Sequence, residues 1–514
     1  MKKNAMGRMV PDKIGDRIVT PYEGIYTRRP EGRKAARWQR FTDNQGSKVL
    51  HSIDETIDRV GLKDGMTISF HHLFRDGDYV INQVLDACAR KGLKGLRLFS
   101  TALFPVHKPV IDHIKSGLID RIEGSMNGPV GAYVSQGGVL AQPAVLRSHG
   151  GRWRAVEAGD VEIDVAFLAA SQADVMGNAT GVFGKTPCGY MTYSGVDAQY
   201  ARKTVVITNE LAPYPVFPFD IQQGWTDYVC VVDEIGDPDS IASGTLQITK
   251  SPTRLHIARL AAEAVKYSGY FKDGFSFQGG AGGISLAATK MIGEEMKRAG
   301  IVANFIMGGV TKLLIDQLND GLCRKLMHGQ AFDRWAIESL QKDPGHAPID
   351  VGTYANYDGA CATAMLDAAF LGATEVDLDF NVNVNTHSDG RLLHGIGGHQ
   401  DVAHGASVAI VTIPTLRGRM PVIVDEVTTI TTPGEVIDVI VTERGIAVNP
   451  RQPELKDRFI KAGLPVKELA DIKAEAERLV QPVKTPVFGD EVIAVIEWVD
   501  GSAIDSVFKV EGWK

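Results

Sequence analysis

The sequence predicts an α/β protein made of two tandem open α/β units of similar fold, with an active site in the cleft between them. From about residue 61, short and nearly continuous apolar runs alternate with amphipathic helices, which is typical of parallel strands covered on both faces. The same alternation starts again after residue 253. A chain of 514 residues also exceeds what one hydrophobic core usually supports.

The first unit is predicted over residues 46–245, after a basic N-terminal arm over residues 1–45. Its strands are predicted at MTISF, LRLFS, VAFLA, TVVIT and YVCVV. Residues 78–92 predict a helix, because an apolar stripe recurs at helical spacing and a glycine follows it. The stripe and the stop are Val80, Val84, Leu85, Cys88 and Gly92.

The second unit is predicted over residues 246–514, and residues 236–253, rich in Asp, Ser, Gly and Pro, read as the linker. Helices are expected at 254–267 and 285–300. Strands are expected at FSFQ, VANFIMG, EVDLDFNVNVN, SVAIVTI, VIVDEV and DVIVTE. Both units open with K-D-G, a strand, a special loop and a helix, so we expect a duplication whose loops carry the ligand site.

Composition excludes several classes of protein. The net charge of −7 and pI near 6.0 argue against a general nucleic-acid binder. Five scattered cysteines without a CxxC pair indicate reduced thiols. No secretory h-region and no apolar run of about 18 residues is present. We therefore expect a cytoplasmic enzyme or assembly subunit that binds neither nucleic acid nor membrane.

Residues 28–40, RRPEGRKAARWQR, concentrate positive charge against a single glutamate. Such a run is commonly a solvated arm. The alternative is a docking site for an acidic partner, because complementary charge speeds encounter.

The segment HGIGGHQDVAHGA, residues 394–406, is compatible with either a histidine metal site or a binding site formed by backbone amides. His394, His399 and His404 are each five residues apart, which on a helix separates neighbours by about 140°. They are therefore not expected to share an ion, and no metal site is predicted. The amides of Gly397 and Gly398 instead suit an oxyanion hole.

A second glycine loop, SFQGGAGGIS, joins a strand to a helix at residues 276–285. Gly279, Gly280, Gly282 and Gly283 allow positive φ and close backbone approach, and Ser285 is a candidate N-cap. Free N–H groups at the helix start favour an anion. The loop matches no nucleotide fingerprint, and a tight-packing turn without a ligand remains the alternative.

Basic side chains in other glycine-bearing loops indicate a carboxylate or phosphate ligand, because arginine forks match such groups. Ion pairing with neighbouring acids is the alternative. Asparagines on one side of a predicted strand add either a hydrogen-bonding row for a ligand or a structural ladder. These residues are His71, His72, Arg75, Arg147, His149, Asn381, Asn383 and Asn385.

Several motifs in order resemble the family I coenzyme A transferases: ADVMGN, QGGAGG, EVDLDFNVN, GIGGHQD and VTERGIA. Other segments narrow the resemblance to the citrate lyase α-subunit family: SFHHLFRDGDYV, MNGPVGAYVSQG, RSHGGR and FIMGGVTK. The resemblance implies two domains of the coenzyme A transferase fold. It also implies citrate CoA-transferase activity, in which citrate replaces acetate on the thiol of an acyl carrier protein.

The resemblance further implies a multi-subunit complex with an acyl carrier γ subunit and a β subunit that cleaves the citryl thioester. The chain itself is expected to bind no cofactor. The acyl thioester is carried on the coenzyme A-like arm of the carrier protein, with acetyl-CoA as a surrogate.

One departure bears on mechanism. Many members of the wider superfamily carry a nucleophilic glutamate after a strand, whereas the matching stretch here has Gly308, Gly309, Val310 and Thr311. A covalent enzyme thioester requires a carboxylate at that place. The sequence therefore favours direct attack by citrate on the acetyl thioester, through a mixed citric–acetic anhydride.

The predicted site follows from these motifs and the chemistry. Gly397 and Gly398 are the predicted catalytic residues. The predicted thioester and pantetheine site consists of Gly279, Gly280, Gly282, Gly283 and Asn383. The predicted citrate site consists of His71, His72, Arg75, Arg147, His149 and Asn385.

Other interpretations of the mechanism and the function stay open at this point. Glu375 and Asp379 would reopen a covalent route if either reached the thioester. The alternative enzymes are another acyl-CoA:carboxylate CoA-transferase or acyl-CoA hydrolase of the same fold, and a metal hydrolase. A non-catalytic scaffold that binds acyl-CoA or a carrier protein is the alternative from another class.

Overall fold

A computed structural model describes residues 1–28, 32–36, 47–280, 282–481 and 486–512. Its largest element is a ten-stranded sheet, parallel except at the edge formed by its last two strands along the chain. In spatial order its strands are Ala503–Val510, Phe488–Glu497, Ala144–Leu146, Ile119–Met126, Leu96–Leu103, Thr67–Phe70, Val165–Ala169, Lys203–Thr208, Tyr228–Val231 and Val49–Leu50.

An eight-stranded sheet forms the second unit and is parallel except for its final hairpin. Its order is His346–Pro348, Cys323–Ala331, Ala303–Val310, Ser276–Gly279, Ala368–Gly372, Ala409–Thr412, Val439–Thr442 and Gly445–Val448. In both sheets the first strand of the repeat is central. The next three strands extend to one side and the following three to the other. The predicted α/β class and tandem units are confirmed by this shared order.

Helices cover the sheets where apolar stripes predict them. The stripe in Val80–Arg90 is buried, and Gly92 follows with φ of 73°. The α-helices are Ile53–Val60, Val80–Arg90, Val110–Lys115, Pro129–Val134, His149–Glu157, Ser194–Tyr200, Pro238–Ile241, Pro252–Tyr267, Gly283–Ala299, Lys312–Asn319, Arg334–Lys342, Val351–Ala355, His399–Gly405, Pro453–Lys461 and Leu469–Glu477. Among the described residues none of these is long and apolar enough to cross a membrane.

The C-terminal strands differ from the predicted division of the chain. Residues 488–510, expected in the second unit, extend the first sheet beside Ala144–Leu146. The N-terminal residues pack on the same edge, where Asn4 Nδ2 donates to the carbonyls of Ala503 and Ile504 at 3.1 and 2.7 Å. The boundary predicted at 245/246 stays a prediction and falls between the strands that end at 231 and begin at 276.

The predicted asparagine strand is wrong. Two short antiparallel strands, Glu375–Asp377 and Val382–Asn383, are joined by a turn. The Asp377 carboxylate holds the turn by accepting from the backbone N–H groups of residues 379 and 381 at 3.0 and 2.9 Å. A side-chain acceptor thus competes with continued strand pairing.

The described part of the basic arm lies on the first unit. Arg28 pairs with Asp160 at 2.9 Å, and Arg33 approaches Glu157 at 3.4 Å. Lys34 lies 4.0 Å from Glu162, and the other basic residues of the run, at 29, 37 and 40, lie outside the described residues. Arg28 and Arg33 therefore pair with acids of the first unit, and the docking interpretation of the arm stays a prediction.

Candidate active site

A cavity of about 290 Å³ lies at the carboxyl ends of the second sheet, facing loops of the first unit. Its walls are mainly glycine, aromatic and amide groups. They include His149, Thr192, Tyr193, Gln278, Gly280, Gly282, Ser285, Gly308, Gly309, Gly329, Gln330, Phe332, Tyr354, Gly372, Gly397, Gly398 and His399. Within the described ranges no Asp, Glu, Lys or Arg lines it. The predicted cleft between the units is therefore present.

The floor of the cavity is formed by the glycine pair Gly308 and Gly309. The pairing of Ala303–Val310 with Cys323–Ala331 shifts register between Gly308 and Gly309. Gly308 has φ of 129°, and a Cβ there would lie 2.7 Å from the Gly279 carbonyl oxygen. A Cβ at Gly309 would lie 1.9 Å from the Phe332 ring. The fold therefore requires a floor without side chains at this point.

The predicted oxyanion loop forms another part of the wall. Gly397 has φ of 63°, and Gly398 is the N-cap of the helix His399–Gly405. The His149 amide donates to the Gly397 carbonyl oxygen at 2.9 Å, which joins the loop to the first unit. Across the described part of the chain, neither the Gly397 nor the Gly398 amide donates to a protein acceptor. Both are therefore available to a ligand.

Asp401 holds this loop from behind. Its buried carboxylate accepts from Ser148 Oγ at 2.7 Å and from the Gly150 amide at 3.1 Å, both in the first unit. Burial raises the pKa of Asp401 to about 7, against the opposing effect of these hydrogen bonds. Asp401 thus lies behind the cavity wall and fastens one unit to the other.

The three histidines of the loop have separate partners. His399 Nδ1 bonds Thr432 Oγ1 at 2.8 Å and its Nε2 bonds the Gly372 carbonyl at 3.0 Å, while burial lowers its pKa to about 4. His394 bonds the Gly395 carbonyl at 2.8 Å, and the His404 ring packs on Tyr357 at 4.5 Å. In the described ranges no group of three His, Cys, Asp or Glu side chains is placed to hold a metal.

The loop at 276–285 divides into cavity and packing positions. Gly280 and Gly282 line the cavity. A Cβ at Gly279 would meet Thr289 Oγ1 at 3.0 Å, and one at Gly283 would meet the Gln247 carbonyl at 3.2 Å, so both are small because protein packs against them. Ser285 is not the N-cap: Gly282 is, because the helix begins two residues earlier than expected.

The structure separates the predicted citrate residues. His149 lines the cavity, and burial lowers its pKa to about 4. His71 Nε2 instead bonds the Ala169 carbonyl at 2.8 Å inside the first unit. Arg147 is buried and paired with Glu123 and, at 2.5 Å, with Glu497. The structure therefore does not bring His71 or Arg147 to the cavity, because each is satisfied within the first sheet.

Arg75 lies behind the aromatic wall. It has φ of 52°, and its guanidinium lies 4.4 Å from the centroid of the Phe332 ring. In the described part of the chain no carboxylate pairs with it, and burial lowers its pKa. Its guanidinium also lies 6.0 Å from the centroid of the Phe104 ring, and a half-buried cation between rings is suited to an anionic ligand.

The asparagines and nearby acids are occupied elsewhere. Asn383 Nδ2 donates to Glu375 Oε2 at 2.9 Å, and Asn385 Nδ2 donates to the His394 carbonyl at 3.0 Å. Asp379 lines a separate groove. Asn383 and Asn385 thus form a structural network, and neither Glu375 nor Asp379 is at the cavity wall.

Comparison with known proteins decides the family. The model of the α subunit of citrate lyase matches residues 46–510. The citrate lyase alpha chain of Klebsiella pneumoniae is 42% identical over 496 residues, which are 96% of each chain. The chain belongs to the citrate lyase α-subunit family. The family predicted from the motifs is therefore confirmed.

Solved structures agree with the family and the fold. One described as the α subunit of citrate lyase from Streptococcus mutans in complex with citrate is 42% identical, with a TM-score of 0.95 over 99% of both chains. A 4-hydroxybutyrate CoA-transferase from Porphyromonas gingivalis is 17% identical, with a TM-score of 0.53 over 84% of this chain and 96% of that one. The latter similarity concerns the fold alone and confirms its coenzyme A transferase type.

Sequence reasoning missed two amides in the wall, Gln278 and Gln330. Gln278 Oε1 and Gln330 Nε2 are buried and have no hydrogen-bond partner in the described structure. Gln278 was visible inside the glycine loop, but Gln330 sits in CRKLMHGQA, which carries no motif. Only the pairing of strands brings it to the cavity.

Proposed function

We propose that this chain transfers the acyl carrier thiol from acetate to citrate by direct attack of a citrate carboxylate. The observation that carries the proposal is the Gly308–Gly309 floor in a cavity where no carboxylate is among the described wall residues. With no enzyme carboxylate in position, the nucleophile is the carboxylate of the substrate. Membership of the citrate lyase α-subunit family suggests the two substrates, an acyl thioester and citrate.

The proposed reaction has two steps. A citrate carboxylate attacks the acetyl carbonyl and expels the thiolate, which leaves a mixed citric–acetic anhydride. The thiolate then attacks the citryl carbonyl and expels acetate. In this proposal the amides of Gly397 and Gly398 stabilise the tetrahedral oxyanions, Gly280 and Gly282 admit the pantetheine arm, and His149 contacts citrate at the cavity wall. Arg75, behind the Phe332 ring, contributes positive charge to this side of the site.

The finer assignments belong to the same proposal. The acyl group is carried by a γ carrier-protein subunit, and a β subunit consumes the citryl thioester within a multi-subunit complex. No cofactor is bound by the chain itself. Five buried free cysteines support a cytoplasmic location.

The test mixes the purified chain with acetyl-CoA and citrate and measures acetate and citryl-CoA. We expect equal amounts of both products and no acyl-enzyme trapped by hydroxylamine or reduced by borohydride. Acetate without citryl-CoA would indicate a hydrolase, and a trapped enzyme thioester would overturn direct attack. No turnover with either CoA or carrier-protein thioesters would favour a scaffold.

A further inference from the structure

We infer that Gln278 and Gln330 form a slot that recognises the hydroxyl and the central carboxylate of citrate over the Gly308–Gly309 floor. This inference rests on the proposed function, because it takes citrate as the acyl acceptor. It adds two residues and an assignment of substrate groups to them. We call Gln278, Gln330, Gly308 and Gly309 together the amide slot.

The two amides flank the glycine pair. Gln278 lies in the strand on one side of Ala303–Val310, in register with Met307, and its side chain would be 3.6 Å from a Cβ at Gly308. Gln330 lies in the strand on the other side, in register with Gly309. The slot is thus a bare stretch of backbone between two long polar side chains.

The orientation of Gln330 is set from the first unit. His72 Nδ1 lies 2.5 Å from Thr101 Oγ1, and its Nε2 lies 3.4 Å from Gln330 Oε1. When Thr101 donates to Nδ1, the ring carries its proton on Nε2 and donates it to Gln330. The amide Nε2 of Gln330, a residue of the cavity wall, is then left as a donor without a partner among the described residues. His72, predicted to touch citrate, is in this arrangement a positioning residue.

The two glutamines require different hydrogen-bonding groups on the ligand, one a donor and the other an acceptor. Gln278 is 8% exposed and Gln330 is 7% exposed, so leaving their free atoms unpaired is costly. Gln330 Nε2 requires an acceptor, whereas Gln278 Oε1 requires a donor that a carboxylate alone does not offer. An α-hydroxy carboxylate supplies both on adjacent atoms, and citrate has one.

A pantetheine amide also combines a donor with an acceptor, but its place is less suitable. The slot lies over the Gly308–Gly309 floor, where a Cβ at either position would clash with neighbouring atoms, so the space above it suits a compact ligand such as citrate. The glycines that admit the arm, Gly280 and Gly282, lie in the adjoining loop.

The test compares citrate with tricarballylate, which lacks only the hydroxyl. Calorimetry on the wild-type chain gives the ratio of the two dissociation constants without any turnover. We expect citrate to bind at least about tenfold more tightly, since an unmet buried acceptor opposes tricarballylate. Equal affinities would overturn the slot even if acyl transfer is observed. Discrimination without acyl transfer would instead reject the proposed function while leaving the slot in place.

Variants assign the two glutamines. Gln278→Met should remove most of the discrimination by weakening citrate and sparing tricarballylate. Gln330→Met should weaken both about equally and leave their ratio unchanged. Gln317→Met is the matched buried control, because Gln317 bonds the Thr289 carbonyl at 2.9 Å and does not line the cavity. If Gln278→Met instead raises only the KM for acetyl-CoA, the slot holds the pantetheine arm and the inference is wrong.

Discussion

The two repeats share a shift in strand register at the same place, but they carry different side chains there. In the first sheet the pairing of the second and third strands shifts between Phe99 and Ala102, and in the second sheet it shifts between Gly308 and Gly309. The first repeat places Thr101 there, with a side chain that bonds His72. The second repeat leaves bare backbone. One repeat therefore carries a hydrogen-bonding side chain at this position, and the other leaves a side-chain-free floor in the cavity.

The largest expected effect comes from filling the bare floor. Gly309→Ala places a methyl group 1.9 Å from the Phe332 ring, so the ring that Arg75 stacks on must move. We expect kcat/KM for acyl transfer to fall at least about 100-fold, since misplacing reacting groups by about 1 Å costs that much. Steady-state citryl-CoA formation measures the effect.

The matched change in the first repeat is Gly124→Ala. Its Cβ would lie 1.7 Å from the Ser100 carbonyl oxygen, a closer clash in a strand pair away from the cavity. We expect it to lower the melting temperature more than activity per folded molecule. Equal losses of kcat/KM in both variants would show that the two irregularities do not differ in function.

Neighbouring histidines sharpen the comparison at a smaller scale. His72→Phe removes the group that orients Gln330, so the KM for citrate should rise about tenfold while that for acetyl-CoA changes little. His71→Phe breaks a bond to the Ala169 carbonyl and should lower mainly the melting temperature. A larger effect of His71 on the KM for citrate would reverse these roles.

Each unit also contains a buried aspartate whose pKa burial raises to about 7, Asp220 in the first and Asp401 in the second. Because the folded pKa lies above the unfolded value of 3.8, the native state holds its proton longer. Stability is therefore lost as pH rises from about 4 to about 7, by at most about 1.4 kcal/mol per pH unit for each group.

Asp220→Asn and Asp401→Asn should each flatten this slope in denaturant unfolding measured across that pH range. Only Asp401→Asn should also change the pH profile of acyl transfer, because it alone supports the Gly397–Gly398 loop. Unfolding curves that keep the wild-type slope would contradict the assignment.

The smallest effect is expected at the basic arm. Arg33→Glu breaks a contact of 3.4 Å between a largely exposed arginine and Glu157, which is worth about 1 kcal/mol or less. If the arm docks a carrier protein, this variant slows reaction with its thioester and spares acetyl-CoA. An equal change in rate with the carrier-protein thioester and with acetyl-CoA would show that Arg33 only packs on the first unit.

Local patterns predicted the repeated strand–helix order and both glycine loops, because strand length, helical stripes and glycine stops are encoded in adjacent residues. They did not predict that residues 488–510 join the first sheet, since such pairing links distant segments. Arg147 was misassigned for the same reason, because its partner Glu497 is 350 residues away. Gln330 reaches the cavity through strand register alone. Tertiary pairing therefore decided which polar residues are free.

Oxygen transfer tests direct attack most directly. Citrate labelled with ¹⁸O in its carboxylates is mixed with acetyl-CoA and an excess of the chain, so that each molecule turns over once. A mixed anhydride formed by citrate itself releases acetate carrying one ¹⁸O, and this is the result we predict. Unlabelled acetate formed together with citryl-CoA in that first turnover would show that an enzyme carboxylate intervened and would contradict the account.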